Sequence, residues 1–344
     1  MACKVDIDNF ERAEWERCAK GFADYSIYQT WPYQYVRGEM DRQRVSRFII
    51  KDENGHVAAM GQVRIKHVKM LGLKIGYIQS GPLVRAFDGT LRCGVEPLKA
   101  LRMAYVGDIV NVLRVMPNVC DDETGGHVSD MLIDSGFQPV RRVAPYRTLI
   151  LPSDGSEEAI RKRLRKSFRR DLRYAEKAGI EIRQGYNNEL CNVLKELYLE
   201  SLKRKGFRGL DVQQFIRIQQ MLSSFEKMNI IVAYYGDEPV SALLSSNLGD
   251  TAIVLLAASN DRGLKCGSSY LIWYRGAVDA MSAEMKWCDL GGIDPCKNPN
   301  VYQFKARMGG HEVFHIGAFE ACNNRSVKTV WHIGDTLYRR IKNR

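Results

Sequence analysis

The chain has 344 residues, 45% apolar and 26% charged, with 51 Lys and Arg against 40 Asp and Glu and a formal net charge of +11. That composition excludes a disordered, collagenous or coiled-coil chain. The length predicts about two domains, each able to bury its own core, and the basic surplus points to an anionic partner.

In chain order, apolar spacing predicts a helix over Phe10–Ala19. Two strands, Val45–Ile50 and Val57–Ile65, flank Asn54-Gly55, a strong hairpin signal. Ile75–Ile78 reads as a strand closed by Gly81-Pro82, followed by a helix near Val95–Tyr105. Val110–Met116 is a strand, Glu123–Ser135 a helix stopped by Gly136, and Val143–Leu151 a strand. Pro152-Ser153-Asp154-Gly155-Ser156 is the best linker.

The second half repeats this grammar. Glu157–Ala178 is a helix ended by Gly179, and Ile180–Arg183 a strand. Helices over Glu189–Lys205 and Val212–Phe225 precede a hairpin of Asn229–Tyr235 and Val240–Asn247 around Gly236-Asp237. Ala252–Ala258 is an apolar strand, Ser268–Ser282 a helix, Lys286–Leu290 a strand, with a strand near Glu312–Phe319 and a helix from about Ser326. The two hairpins, residues 48–65 and 230–248, resemble each other in their apolar first strand, Gly turn and Val-Ala or Val-Ser-Ala restart. Duplication of one α/β unit explains this, and so would convergence on hairpin chemistry.

Three segments draw chemical attention. Arg161–Lys177 holds nine basic and two acidic residues, a net of +7. Ile160, Leu164, Phe168, Leu172 and Ala175 recur every three or four residues, so one stripe faces a core and the cations crowd the other faces. Like charges at i, i+3 and i+4 repel, a cost that a phosphate-rich partner offsets; a merely solvated face is the alternative. Second, Asn260–Ser269 is a small-residue loop before a helix, a place where free N–H groups can meet an anion or a serine can cap the helix. Its Arg262 and Gly267 match the pyrophosphate loop of acetyl-CoA-dependent acetyltransferases, but Lys265 replaces the middle glycine and argues against acyl-CoA. Third, Asp289-Leu290-Gly291-Gly292 ends a strand where α/β proteins build sites, and Lys305 lies between that turn and Gly309-Gly310 as a candidate cation for an oxyanion or phosphate. An ordinary surface lysine is the competing reading.

Other chemistries are not read. The sequence has no G-x-S-x-G, Walker loop, H-E-x-x-H or G-x-G-x-x-G. Its six histidines are dispersed, and its nine cysteines include no C-x-x-C, so neither metal nor a disulfide framework is expected. The first 18 residues show no apolar signal segment, and the longest apolar run, Ala252–Ala258, falls far short of the ~20 residues of a span. The expectation is a cytoplasmic protein.

Six stretches together resemble the FemABX family of non-ribosomal peptidyltransferases over nearly the whole chain. They are Gln29 with Val36-Arg37, the basic helix ending in Ala178-Gly179-Ile180, Lys203-Arg204-Lys205-Gly206-Phe207, Ile231-Val232-Ala233, Asp289-Leu290-Gly291-Gly292-Ile293 and Tyr302-Gln303-Phe304-Lys305. The resemblance implies an α/β (α+β) chain of two tandem GNAT-like domains, 1–151 and 152–344, with mixed sheets flanked by helices. It implies transfer of an amino acid from aminoacyl-tRNA to an amine of a peptidoglycan precursor, nucleotide- or lipid-linked, by a monomer with no cofactor and possible peripheral membrane contact. By the same resemblance Lys305 is catalytic, and Arg37, Arg204, Arg208 and Tyr302 bind the acceptor and its phosphates. Arg165, Lys166, Arg169, Arg170 and Arg173 bind tRNA, and Gly267, Ser268, Asp289, Gly291 and Gly292 shape the site. Relatives that bind the nucleotide-linked precursor carry a tyrosine where this chain has Leu256, and the long helical arm of some members is missing. An acyltransferase using acyl-CoA or an acyl carrier protein on a polysaccharide or small amine, and a non-catalytic anion-binding relative, are the alternatives.

Overall fold

A computed structural model describes residues 3–153, 155–206 and 209–342 and divides them into two units. The first comprises residues 1–146 and 314–344, the second residues 147–313. The first unit runs β1 (Lys4–Ile7), α1 (Arg12–Ala19), α2 (Trp31–Asp41), β2 (Arg44–Lys51), β3 (Val57–Val68), β4 (Leu73–Gln79), α3 (Val95–Tyr105), β5 (Val112–Met116), α4 (Glu123–Asp134) and β6 (Gln138–Pro139). The second runs β7 (Arg147–Pro152), α5 (Glu157–Arg163), α6 (Lys166–Lys177), β8 (Ile180–Gly185), α7 (Asn188–Lys205), α8 (Val212–Met221), β9 (Asn229–Tyr235), β10 (Glu238–Leu248) and β11 (Thr251–Ser259). It continues through α9 (Asp261–Cys266), α10 (Ser268–Ser282), β12 (Trp287–Asp289), α11 (Pro299–Ala306) and β13 (His311–Phe314). The chain then adds β14 (Phe319–Cys322) and α12 (Arg325–Lys342) to the first unit.

Each unit is built on a seven-stranded sheet, in the orders β1-β2-β3-β4-β5-β14-β6 and β13-β7-β12-β11-β10-β9-β8. Read from opposite ends the two orders coincide. A meander of four antiparallel strands leads to one parallel pair, β4 with β5 and β11 with β12, and then to an antiparallel strand from a distant part of the chain. The hairpins that resemble each other in sequence occupy equivalent places, β2-β3 and β9-β10.

The sixth strands correct the expected boundary. The sequence reading keeps 152–344 together and ends the first domain at 151. Instead β7 pairs with β12, and β14 pairs with β5, so the last thirty-odd residues return to the first unit. A buried ion cluster holds them there. Arg114 of β5 donates to Glu320 of β14 at 2.7 Å and to Asp335 of α12 at 2.7 Å, while Trp331 donates its indole N–H to Glu320 at 2.9 Å. Arg142 bridges the same two acids. Opposite charges buried together must find each other, because an unpaired ion out of water is costly.

Three of the expected elements also change their form. The expected strand near Glu312–Phe319 is two strands, one in each sheet. The helix over 212–225 stops at Met221. The basic helix over 157–178 is two helices, broken at an extended Leu164. There Gly309, at φ +86°, lies so close that a Cβ on it would meet the Arg163 carbonyl at 2.1 Å, and the Arg165 N–H donates to Arg307 O at 2.8 Å. A chain segment 140 residues away thus takes over hydrogen bonding that a continuous helix would use.

Candidate functional site

The second unit gathers the proposed donor-side residues. β12 pairs with β11 for only three residues, Thr251–Ile253 against Trp287–Asp289, while β11 runs on to Ser259. Beyond Asp289 the chain leaves the sheet through Leu290-Gly291-Gly292. Gly291 has φ +78°, and a Cβ there would sit 2.7 Å from Val254 O, so this turn needs glycine twice over, by conformation and by space. Asp289 fixes the turn: its Oδ1 accepts the Gly291 N–H at 2.7 Å and the Thr148 hydroxyl of β7.

Lys305 reaches this turn from α11. Lys305 lies in the last turn of a helix started by Pro299. Its side chain is buried, with the residue 7% exposed, and Nζ donates to Gly291 O at 2.8 Å and Gly292 O at 3.1 Å. The Trp273 ring lies 5.5 Å from Nζ. Burial lowers the ammonium from 10.5 to about 8, and the Asp289 carboxylate opposes that shift. The surface-lysine reading therefore fails: this is a desolvated ammonium clamped to a glycine turn.

The basic helix is tied to the same structure. Phe168 of α6 packs on Tyr270 (5.0 Å between ring centroids) and Phe304 (5.5 Å), and Phe304 on Trp273 (5.6 Å). Phe168, Leu172 and Ala175 are fully buried, the stripe the periodicity predicts. Arg307, just past Lys305, donates to Asp171 at 3.2 Å and to the Tyr270 hydroxyl at 2.9 Å. Four rings and one ion pair thus hold α6, α10 and α11 together. On the outer face Arg165, Lys166, Arg170 and Arg173 are exposed and Arg169 is half-buried. Arg170 pairs with Asp171, and Arg169 donates to Lys162 O; among the described residues Arg165, Lys166 and Arg173 have no acidic partner.

The Asn260–Ser269 segment is mostly helix rather than open loop. Asn260 caps α9 by accepting the Gly263 N–H at 2.9 Å, and Leu264 N–H donates to Asn260 O. Gly263 backs onto Val240 O, which a Cβ would approach to 2.3 Å. Gly267, at φ +78°, ends α9, and the Ser268 hydroxyl is fully buried, bonded to Gly263 O and Ser241 Oγ. These two residues shape the fold under β10 and β11 and present nothing outward. Arg262 pairs with Glu238.

The residues expected to bind the acceptor lie in both units. Arg37 of α2, in the first unit, pairs with Asp41 at 2.7 Å and lines a cavity of about 470 Å³ with Arg64, Lys66, Tyr77, Arg114 and Arg339. Arg204 of α7, in the second, pairs with Asp261 at 2.7 Å and donates to Ser259 O. The half-buried Tyr302 directs its hydroxyl to Glu312 at 3.4 Å. Arg208 lies outside the described residues. Leu256 is buried on β11 opposite Leu244, with no hydroxyl at that place. Sequence reading misses Thr148, Trp273 and Arg307. Thr148 and Trp273 carry no local signal, since their roles exist only where β7 and α10 meet β12 and α11. Arg307 stands in the already notable Gln303–Gly310 run.

Residues 211–330 match the model of the FemAB family. A search of curated proteins finds no match. Among solved structures the chain is similar to FemX at 17% identity and a TM-score of 0.79, covering 92% of this chain and 98% of that one. It is also similar to L-PGS from Bacillus licheniformis (11%, TM-score 0.54, 93% and 94% covered). A tandem GNAT protein from the clavulanic acid biosynthesis pathway matches at 10%, with a TM-score of 0.50 and 94% and 99% covered. Residues 211–330 thus carry the FemAB family pattern, and the chain as a whole shares its fold, two GNAT-like units in tandem, with FemX.

Proposed function

We propose that this chain is a FemABX-type transferase and moves an amino acid from aminoacyl-tRNA to an amine of a peptidoglycan precursor peptide. The observation that supports this reading best is the shared aromatic cluster. It ties α6, whose outer face carries Lys166 and Arg173 with no acidic partner among the described residues, to the α10–α11 packing that holds the buried Lys305 ammonium at the glycine turn. A polyanionic donor bound along α6 would bring its acyl end toward that turn, and a tRNA donor puts the reaction in the cytoplasm.

The chemistry asks little of side chains. An aminoacyl ester is already activated, so a neutral amine attacks its carbonyl, an oxyanion forms, and the ribose hydroxyl leaves. Holding both partners in line supplies several kcal/mol of the barrier. The oxyanion needs donors already in place, each worth about 3 kcal/mol. Lys305 contributes a positive field and keeps the Gly291-Gly292 backbone in one conformation. Arg37 and Arg204 suit acceptor phosphates, since each now holds a carboxylate that a phosphate can replace.

The GNAT-like fold itself keeps an acyl-CoA reading in view. Against it, the segment that would cradle a pyrophosphate is wound into α9, with the Gly263 and Leu264 amides already bonded to Asn260. Transfer of labelled amino acids from charged tRNA to a nucleotide-linked muropeptide, run beside labelled acyl-CoA, tests both. Transfer from acyl-CoA alone would overturn the proposal.

A pH dependence follows. With Lys305 near 8, about nine-tenths of it is charged at pH 7, and activity should decline on the alkaline side of about 8. Asp289→Asn removes the carboxylate that favours the charged form, so the decline should begin at lower pH, with a loss of a few-fold at pH 7. Profiles of kcat/KM against pH check this. An alkaline limb that does not move would detach Asp289 from Lys305.

A further inference from the structure

The first unit carries an outward surface that its core does not use, beside the cavity at Arg37, which Lys66, Leu71 and Tyr338 also line. α12 is amphipathic in two senses. Trp331 and Asp335 face the sheet, buried, while Val330 (43% exposed), Ile333 (59%) and Leu337 (54%) form a second apolar stripe on the opposite side, spaced three and four residues apart. Beside it runs the short β3–β4 connection. Leu71 packs against α12 at Gly334, where a Cβ would meet it at 2.7 Å, and its neighbour Met70 is 97% exposed. Tyr338 is 55% exposed with the Lys66 ammonium 5.3 Å from its ring centre. Four aliphatic side chains thus stand in water on adjoining elements, with no fold reason to be there.

Their charged neighbours are nearly all of one sign. Residues 64–74 contain Arg64, Lys66, Lys69 and Lys74 and no acid. From 323 onward the sequence holds Arg325, Lys328, Arg339, Arg340, Lys342 and Arg344, and its one acid, Asp335, is buried among Arg114, Arg142 and Arg339. Lys66, Lys69, Lys74, Arg325 and Arg340 are exposed. Cations around projecting aliphatic side chains are the chemistry of a helix that lies in a bilayer interface, its apolar side among the acyl chains and its basic residues among anionic headgroups. A nucleic acid would match the charge but leave the apolar stripe in water. No described helix is long and apolar enough to cross a membrane, so the contact is a surface one.

We infer that α12 and the Met70 turn form a docking surface for anionic lipid membranes, holding the first unit against a bilayer. The inference is independent of which donor or acceptor the enzyme uses.

Cosedimentation of the full-length chain with vesicles of phosphatidylcholine, with and without phosphatidylglycerol, tests it. The wild type should bind the anionic vesicles, release them as salt rises, and ignore the neutral ones. Replacing Met70, Ile333 and Leu337 together with Ser should reduce partitioning at least about tenfold. Met70→Ser alone changes one solvated side chain and cannot unfold the protein; it should weaken binding, and Met70→Trp should strengthen it. Failure of the wild type to bind anionic vesicles, or equal binding by wild type and the Ser variants, would overturn the inference. So would sedimentation velocity showing a dimer that the triple variant dissociates without any vesicle effect, which would assign the stripe to a second copy of this chain.

Discussion

Lys305→Met is expected to lower turnover by about 10²-fold or more, equal to roughly 2.7 kcal/mol of barrier, with a melting temperature close to wild type. Two opposed terms set the stability. The substitution leaves Gly291 O and Gly292 O without their ammonium donor, and a buried unsatisfied carbonyl costs about 1–3 kcal/mol. It also removes a desolvated charge whose downward shift, from 10.5 to about 8, corresponds to about 3 kcal/mol at neutral pH. The sign of that term follows from linkage. A lysine held below its unfolded value binds fewer protons in the native state between about 8 and 10.5, so its penalty is fully present below pH 8 and fades above it. With two carbonyls the first term is about 2–6 kcal/mol, opposite in sign to the second and of the same order, so a loss of turnover without a loss of melting temperature would mark a role in the reaction. Lys305→Arg should rescue little, because a planar guanidinium cannot occupy the space of a compact ammonium between two carbonyls and the Trp273 ring. Steady-state transfer assays beside thermal melts decide it. Turnover within a few-fold of wild type for Lys305→Met would remove this residue from the mechanism.

The second large effect concerns α6. Replacing Arg165, Lys166, Arg169 and Arg170 together with Ala should weaken tRNA binding at least about tenfold. It should also flatten the salt dependence, by about 0.7–0.9 in log–log slope for each phosphate no longer neutralised. Folding should survive. Arg165, Lys166 and Arg170 are exposed and Arg169 half-buried, and Arg165–Arg169 and Lys166–Arg170 are like-charge pairs four residues apart that repel by a few tenths of a kcal/mol each. The helix is held from its other side by Phe168, Leu172 and Ala175. Filter-binding titrations across a salt series give the slope, and an unchanged slope would assign the basic face to solvation alone.

Much of this chain is local enough to read from its residues. The Asn54-Gly55 and Gly236-Asp237 hairpins, the helix over Val95–Tyr105 and the buried stripe of α6 follow from turn chemistry and periodicity, and the structure has them in place. The likeness of the two hairpins is matched by their equivalent positions in two sheets of the same order. The Asp289–Gly292 turn and Lys305 stand out as composition, because Gly-Gly after an acid and a lysine among aromatics are unusual in themselves.

Other features depend on partners that sequence does not put side by side. Helix α2 escapes a reading by apolar spacing, although Thr30, whose side chain accepts the Tyr33 N–H, and Pro32 are helix-start signals. The basic segment breaks at Leu164 because Gly309 packs on Arg163, two residues nearly 150 positions apart. The last strand and helix return to the first unit because Arg114 needs Glu320 and Asp335, more than 200 positions away. Whether Lys305 is solvated or clamped is likewise decided by tertiary structure, through the carbonyls of Gly291 and Gly292 and the ring of Trp273. Backbone propensity and apolar spacing act over a few residues and are written in the sequence directly, whereas the pairing of buried charges, the closeness of two backbones and the solvation of one ammonium exist only once distant segments are packed together.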